Sequence, residues 1–375
     1  MSKSQKIAFI VSRISWVGGT GAVTCSLANA LVDDGQNVLI ISLEKDSNQV
    51  PAFPLDSRVK VVGLNTQQTR LRGRILENFW TIGRVLKQYR IDQCILVGNY
   101  QGLIASPTVA MSRLNPLRRT RFMFHDHGAL MNQWDNYPVR FMRWLCTMIC
   151  HDVITLTESS RQAYIERFHA SPDRVTAISN WIDPAIIDSR TPYSMDSKKI
   201  LWAGRMTDEK GSQRIVPICE KALTQFPDWI VEVAGDGPGF QSLFEEVARS
   251  PIGSQIQLLG TVPNISSRLS EYAFVFLTSD REGMPMILLE AKGAGIPMVS
   301  FDVSTGPSAI IQDGVDGVLV PPYSIDAFAE ALIKLMASPK LRQSMAEASR
   351  KDSERFSKHE IMKKWLEILN VERKP

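Results

Sequence analysis

Lys6-Ile-Ala-Phe-Ile-Val-Ser12, Trp16-Val-Gly-Gly-Thr-Gly21 and Asn37-Val-Leu-Ile-Ile-Ser42 decide the fold of this chain. The first and third are short, continuous apolar runs, the pattern of strands buried on both faces. Between them Ala22 to Asp33 places Leu27, Ala30 and Leu31 at helical spacing, and Gly35 follows as a helix-ending residue. Strand, glycine loop, helix and strand make a βαβ unit, which requires a parallel sheet.

The same alternation extends outward. Strands are predicted over Val59 to Leu64, Gln93 to Val97, Arg121 to His125, Asp152 to Leu156 and Val175 to Ile178. The pattern breaks after Asp183-Pro184 into the polar, turn-rich Asp188-Ser-Arg-Thr-Pro-Tyr-Ser-Met-Asp-Ser197. A second series then begins, with strands Lys199 to Ala203, Trp229 to Ala234, Ile256 to Leu259, Ala273 to Leu277, Pro297 to Phe301 and Gly317 to Val320. Helices are predicted at Ser212 to Gln225, Phe240 to Arg249, Met286 to Ala294 and Ile325 to Met336. The expected organisation is an α/β domain over 1–184, a linker over 185–197, a second α/β domain over 198–356 and a carboxy-terminal segment over 357–375. The amphipathic end, Lys358 to Val371, carries Ile361, Trp365 and Ile368 on one face and needs a surface to cover.

With 375 residues, 44% of them hydrophobic and 22% charged, the chain can bury two cores, which excludes disorder and disulfide-stapled miniprotein classes. Cys25, Cys94, Cys146, Cys150 and Cys219 form no CxxC pair and read as buried, reduced thiols. No apolar run reaches the roughly 20 residues of a membrane span, and Met1 to Lys6 is too short for a signal peptide, so a cytoplasmic location is expected. The net charge of +4 conceals an asymmetry: residues 1–185 hold 21 Lys+Arg against 14 Asp+Glu, the remainder 22 against 25. The two halves therefore face different partners.

Several segments carry groups suited to chemistry. Gly18-Gly19-Thr20-Gly21 opens a helix, where free backbone N–H groups favour an anion, although the loop has neither GxGxxG nor GK[ST] and also suits a plain tight turn. Gly204-Arg205-Met-Thr-Asp-Glu-Lys210-Gly211 ends the second domain's first strand, where open α/β sheets bind ligands. A planar guanidinium and a mobile ammonium together suit a diphosphate; a solvated charged loop is the plainer alternative. Gly235 belongs to another strand-end turn, Val233-Ala-Gly-Asp-Gly-Pro238, which reads as mainly structural. In Ser279-Asp-Arg-Glu282-Gly-Met-Pro-Met-Ile-Leu-Leu-Glu290-Ala, Pro285 suits a first helical turn, leaving Glu282 in the loop and Glu290 in the helix. The eight-residue offset separates these carboxylates by up to roughly 12 Å, enough to hold two ends of one extended ligand, with Gly283, Met284 and Pro285 between them.

In this order and spacing the motifs resemble glycosyltransferase family 4, the retaining nucleotide-sugar transferases of GT-B fold. The resemblance takes in the early glycine loop, Gly-Arg-x4-Lys-Gly, Ala-Gly-Asp-Gly-Pro, Leu-Gly-Thr-Val-Pro-Asn, the two-glutamate segment and Ile311-Gln-Asp-Gly-Val-Asp-Gly317-Val-Leu-Val-Pro-Pro322. It implies two Rossmann-like domains facing a central cleft, Arg205 and Lys210 on the donor diphosphate, Glu290 on the ribose hydroxyls, Glu282 facing the donor sugar and Gly19 approaching from the first domain. It also places a strand-end histidine against the sugar. In Phe122-Met-Phe-His125-Asp-His127-Gly128 the apolar run stops at His125, with His127 the alternative and Asp126 available to orient either ring or cap the turn. His151, His169 and His359 read as structural.

The implied activity is retaining transfer of a hexosyl or N-acetylhexosaminyl group from a nucleotide-sugar, with a UDP-sugar favoured, to a glycolipid or polysaccharide acceptor of the cell envelope. With Arg and Lys to neutralise the diphosphate, and without a DxD or His/Cys cluster, no metal or other cofactor is expected. The 185–197 linker is the expected hinge for closure. Arg70, Arg72, Arg74, Arg84, Lys87 and Arg90 around Phe79 and Trp80, with Arg118, Arg119, Arg121, Arg140 and Arg143 near Phe141 and Trp144, read as a basic face for an anionic membrane or phosphorylated glycolipid, or as a solvated surface. No nucleic-acid motif accompanies that charge. Two rival readings are a non-catalytic sugar-nucleotide-binding module and a glycoside hydrolase using the two glutamates.

Overall fold

The computed structural model describes residues 4–16, 18–44, 50–66, 71–114 and 120–370. It forms two compact units, residues 1–178 with 362–375 and residues 179–361. In the first, β1 (Lys6–Val11), α1 (Gly19–Asp33), β2 (Asn37–Glu44), β3 (Lys60–Thr66), α2 (Leu71–Tyr89), β4 (Gln93–Val97), α3 (Asn99–Leu114), β5 (Arg121–Asp126), α4 (Tyr137–Ile149), β6 (Asp152–Thr155), α5 (Glu158–Phe168) and β7 (Val175–Ala177) alternate. The strands among the described residues form one parallel sheet in the order β3-β2-β1-β4-β5-β6-β7. Helix α1 starts at Gly19, so the glycine loop is itself the helix's first turn, three residues ahead of the position predicted from the apolar spacing. Gly35, at φ +88°, ends α1: its N–H reaches the Val32 carbonyl and that of Gln36 reaches Leu31.

The second unit contains α6 (Pro184–Asp188), β8 (Lys199–Ala203), α7 (Ile215–Leu223), β9 (Ile230–Ala234), α8 (Phe240–Arg249), β10 (Ile256–Gly260), β11 (Phe274–Leu277), α9 (Met286–Ala294), β12 (Met298–Phe301), α10 (Pro307–Ile310), β13 (Gly317–Val320), α11 (Ile325–Ala337) and α12 (Pro339–Asp352), followed by α13 (Lys358–Asn370). Its sheet is again parallel, in the order β10-β9-β8-β11-β12-β13. Both sheets are the α/β architecture read from the sequence, each with its own apolar core.

The segment expected to be a free linker is not one. Asp183 caps α6 by accepting from Ala185 N–H at 3.0 Å, Arg190 donates to Ser353 Oγ at 2.6 Å, Tyr193 donates to the Ala273 carbonyl at 2.6 Å, and the Met195 carbonyl accepts from Arg342 at 2.8 Å. These bonds tie 185–197 to the second unit, which takes away the hinge role assigned to it. The division between units falls between Ile178 and Ser179. The end of α13 covers the first unit: Trp365, Ile368 and Leu369 are buried, the Leu369 carbonyl accepts from Gln93, and the Ile368 carbonyl from Arg121. Val371 of the predicted final helix lies outside the described residues.

The basic face is also smaller than the sequence suggests. Arg74 reaches the Tyr100 hydroxyl at 2.9 Å and Glu44 at 3.5 Å, Arg121 pairs with Asp152 at 2.7 Å, and Arg143 is buried against Asp126 at 2.9 Å. A buried guanidinium costs too much to remain unpaired, so Arg143 serves the interior, while the partly exposed Arg74 and Arg121 are committed to partners of their own. Arg84, Lys87 and Arg90 are exposed, while Arg140 lies partly buried over the rings of Trp134 and Tyr137. Arg70, Arg118 and Arg119, and the side chain of Arg72, lie outside the described residues. All five cysteines are free and buried, and burial pushes the Cys25 thiol up to about 11.

One buried ion cluster fixes the second unit. Lys292 on α9 is fully buried and donates to Asp316 at 2.5 Å and Asp352 at 2.6 Å, joining α9, the loop before β13 and the end of α12. Removing Lys292 strands the buried Asp316, while Asp352, partly exposed, keeps Arg355; the loss of the buried partner costs about 3–5 kcal/mol. Lys292→Met should lower the unfolding free energy from urea titration by that order, and adding Asp316→Asn should recover part of the loss; additive effects of the two changes would show that the pair is not coupled.

Candidate active site

In the second unit the predicted donor residues gather at the carboxy-terminal ends of β8 and β11. Gly211, at φ +67°, closes the loop after β8; a Cβ there would meet the Thr278 carbonyl at 2.0 Å, so only glycine permits this approach. Thr278, fully buried, ties the two loops together by accepting from Trp202 Nε1 at 3.0 Å and donating to the Gly211 carbonyl at 2.9 Å. Lys210 is thereby delivered to Glu282, Nζ to Oε1 at 2.6 Å, and Ser279 Oγ donates to the same oxygen at 2.7 Å. Thr305 Oγ donates to the Glu282 carbonyl at 2.7 Å, and Gly306, at φ +99°, packs where a Cβ would stand 2.9 Å from that of Glu282. Glu282 is 7% exposed and oriented from two sides. Arg205 differs: its side chain is exposed and makes no hydrogen bond or ion pair among the described residues. The result is one cation without a partner, one shared with a carboxylate, and a strand-end setting in which anions are favoured.

Gly204 and Gly235 are fitted to each other. A Cβ on Gly235, φ +141°, would lie 1.9 Å from the Gly204 carbonyl, so this turn holds β8 and β9 together at their ends. Pro285 stands at the cap of α9, with Met286 the first helical residue, as the sequence places the helix. Gly283 is partly buried and Met284 buried; the Met284 and Met286 sulfurs accept from Asn180 N–H at 3.4 Å and Nδ2 at 3.3 Å. No side chain caps α9, so its first N–H groups remain available.

Glu290 lies one helical turn into α9, partly buried. Burial, and secondarily the like charge of Asp183, raise its carboxyl from 4.5 to about 7. Asn180 and Asp183 escaped the sequence reading because they fell at the supposed domain boundary; the Asp-Pro pair, a helix cap followed by proline at the first position, is the signal that marks them.

The first unit supplies a second group of residues. Gly18 and Gly19 open α1, Gly18 capping without a side chain and Gly19 exposed in the first turn. His125, the penultimate residue of β5, is 3% exposed; its Nδ1 lies 3.1 Å from Nε2 of His127, and the ring of Trp365 meets it edge-on at 5.1 Å. Nε2 of His125 is buried and has no hydrogen-bond partner among the described residues. Desolvation lowers both imidazoles, His127 to about 4, so the pair is neutral at physiological pH. Asp126 orients neither ring. It accepts from Gly128 N–H at 2.9 Å, from the Tyr164 hydroxyl at 2.7 Å and from Arg143, which fixes the turn after β5. His151 accepts from Phe122 N–H and His169 ends α5 in the left-handed region, both structural positions.

Residues 17–186 match the family described as Glycosyltransferase Family 4 and residues 186–352 that described as Glycosyl transferases group 1. Over 97% of the chain, it is 26% identical to the amylovoran biosynthesis glycosyltransferase AmsD of Erwinia amylovora, covering 99% of that protein, and 24% identical to an uncharacterized glycosyltransferase of Haemophilus influenzae, covering 100% of it. Its fold matches a crystal structure of an S. aureus TarM variant in complex with fondaparinux, α-GlcNAc-glycerol and UDP, with a TM-score of 0.81 at 14% identity over 98% of this chain and 100% of that one. The chain belongs to the glycosyltransferases of GT-B fold, one family model matching each half.

The raised carboxyl of Glu290 gives a direct check. Its native value exceeds the unfolded one, so the contribution to stability is full below pH 4.5 and is lost as pH rises through about 7. Glu290→Gln should stabilise the ligand-free protein above pH 7, by at most about 3 kcal/mol, and the gain should vanish near pH 4.5 in pH-resolved urea unfolding. A gain independent of pH would refute this assignment.

Proposed function

We propose that the protein is a retaining, metal-independent glycosyltransferase that moves a hexosyl or N-acetylhexosaminyl group from a UDP-sugar to a glycolipid or polysaccharide acceptor at the cytoplasmic face of the membrane. The observation that carries this reading is the Lys210–Glu282 pair at 2.6 Å beside the unpaired Arg205, at the strand ends of the second unit. Arg205 offers a planar fork to one phosphate, and Lys210, with three donors, can hold Glu282 and a phosphate oxygen together. Two cations, Lys210 oriented by Glu282 and Arg205 free to follow the ligand, stabilise the charge that grows on the departing diphosphate, which is the task a divalent metal performs elsewhere. Glu290 accepts from ribose hydroxyls, the α9 N-terminus faces phosphate oxygens, and Gly18, Gly19, Gly204 and Gly235 allow close backbone approach. UDP in the S. aureus structure and the role named for the Erwinia relative support the choice of nucleotide and acceptor.

In the reaction the bond between the anomeric carbon and the diphosphate oxygen breaks while the acceptor hydroxyl oxygen attacks from the same face. The acceptor proton passes to the leaving phosphate oxygen, giving the glycosylated acceptor with retained configuration and free nucleoside diphosphate. Glu282 positions a sugar hydroxyl. The chain's own contribution is positioning and charge stabilisation.

Turnover assays with UDP- and GDP-sugars in EDTA, with the product's anomeric configuration read by NMR, test the reading. Activity with one UDP-sugar, retained configuration, and a loss of about 10²–10³ in kcat/KM for Arg205→Ala and for Lys210→Ala are expected. Inversion, or activity only after Mg²⁺ is restored, would overturn the corresponding part.

A further inference from the structure

Helix α4 has an outer face that a water-soluble surface does not explain. Tyr137, Phe141, Trp144 and Met148 recur at intervals of four, three and four, forming one stripe roughly 16 Å long, and all four are exposed. Helix α3 lies against both α4 and α2, and α2 repeats the pattern with Leu76 and Trp80, the latter 71% exposed. Of the fourteen large apolar side chains exposed among the described residues, eight lie on these three helices, so the exposure is concentrated rather than scattered.

The charges around the patch indicate what covers it. Continuing the α2 stripe beyond Trp80 are the exposed Arg84 and Lys87; Arg113 on α3 is exposed and donates to the Met148 carbonyl at 2.9 Å; Arg140 borders the α4 stripe. The one exposed carboxylate on the three helices is Glu77. Across a twofold axis a second copy would set these cations against their own equivalents. An anionic bilayer meets both demands: its headgroups pair with Arg and Lys, while Tyr, Trp, Phe and Met enter the boundary between headgroups and acyl chains. No helix among the described residues is long and apolar enough to cross a membrane, so the mode is contact along a face.

We infer that the α2–α3–α4 face of the first unit is a membrane-docking surface, with the α4 aromatic ridge inserted shallowly into an anionic leaflet and Arg84 and Lys87 on its headgroups. It deepens the reading of a lipid-linked acceptor and rests on that reading for its purpose, since a docked enzyme meets such an acceptor at the interface.

The full chain is sedimented with phosphatidylcholine vesicles containing phosphatidylglycerol and with vesicles of phosphatidylcholine alone. Wild type should bind the anionic vesicles in a salt-sensitive way and the neutral ones weakly. The double variant Phe141→Ser/Trp144→Ser should bind the anionic vesicles at least about tenfold more weakly, and Arg84→Glu/Lys87→Glu should lose most of the preference for anionic lipid. UDP-dependent thermal stabilisation, measured without vesicles, should be unchanged in both double variants. Wild-type binding by the folded aromatic variant, or no sedimentation of wild type with either vesicle, would overturn the inference while leaving the donor reading intact. A dimer in light scattering that the aromatic substitutions dissociate would overturn it too, by assigning the face to a second copy. Failure of UDP to stabilise any form, with vesicle binding as expected, would remove the donor reading alone.

Discussion

The close approach of two loops at the ends of β8 and β11 is the constraint on which the second unit's site depends. Gly211 can sit against the Thr278 carbonyl only because it has no Cβ, and Thr278 uses its hydroxyl to hold the loop from the other side. Given that contact, Lys210 has little choice but to meet Glu282. Ser279 and Thr305 then fix the glutamate from its side chain and its backbone, so the charged pair is built from neutral, buried hydroxyls. Preorganisation of this kind is what allows a charged site to act without rearranging at each turnover.

A parallel construction holds the histidines of the first unit. The carboxylate of Asp126 is neutralised by Arg143 and hydrogen-bonded by Tyr164 and Gly128, and Gly128 leaves the room that Arg143 fills, since a Cβ there would stand 2.0 Å from an Arg143 nitrogen. The turn after β5 is therefore rigid for reasons unrelated to the imidazoles themselves. His125 and His127 are left to hydrogen-bond each other in a dry setting that keeps them neutral. A neutral ring can donate or accept with a sugar hydroxyl, whereas an imidazolium could only donate.

Period and punctuation carried most of the fold. Continuous apolar runs and strand-end glycines made both parallel sheets readable, and Met286–Ala294, Phe240–Arg249, Lys199–Ala203 and Gln93–Val97 fall where their pattern places them. Helix α12 did not announce itself, because PKLRQSMAEASRKD is mostly polar and its buried side includes Arg342 and Ser349. The linker was misread for a related reason. Polarity suggested solvent, yet the hydroxyls and carbonyls of 185–197 spend their hydrogen bonds on the second unit. Arg143 was read as surface charge because sequence spacing alone does not show that Asp126, seventeen residues earlier, lies beside it. Local pattern reports which residues could be buried; the partner that makes burial of a charge tolerable is supplied by the fold.

The same limit separates two lysines that the sequence presents as equals. Lys292 is fully buried between two carboxylates, so any exchange of partner would require moving a charge through an apolar interior; its role is confined to holding α9 in place. Lys210 keeps 29% of its side chain exposed and has one carboxylate partner, so a phosphate oxygen can approach without desolvating the ammonium afresh. Arg205 completes the series with an exposed guanidinium and no internal partner among the described residues. Commitment to internal partners falls from Lys292 to Lys210 to Arg205, and availability to an anionic ligand rises in the same order. The proposed donor role draws on both ends of that series: a rigidly held α9 keeps Glu290 and the helix N-terminus in place, and cations proposed to meet a diphosphate have to be unspent.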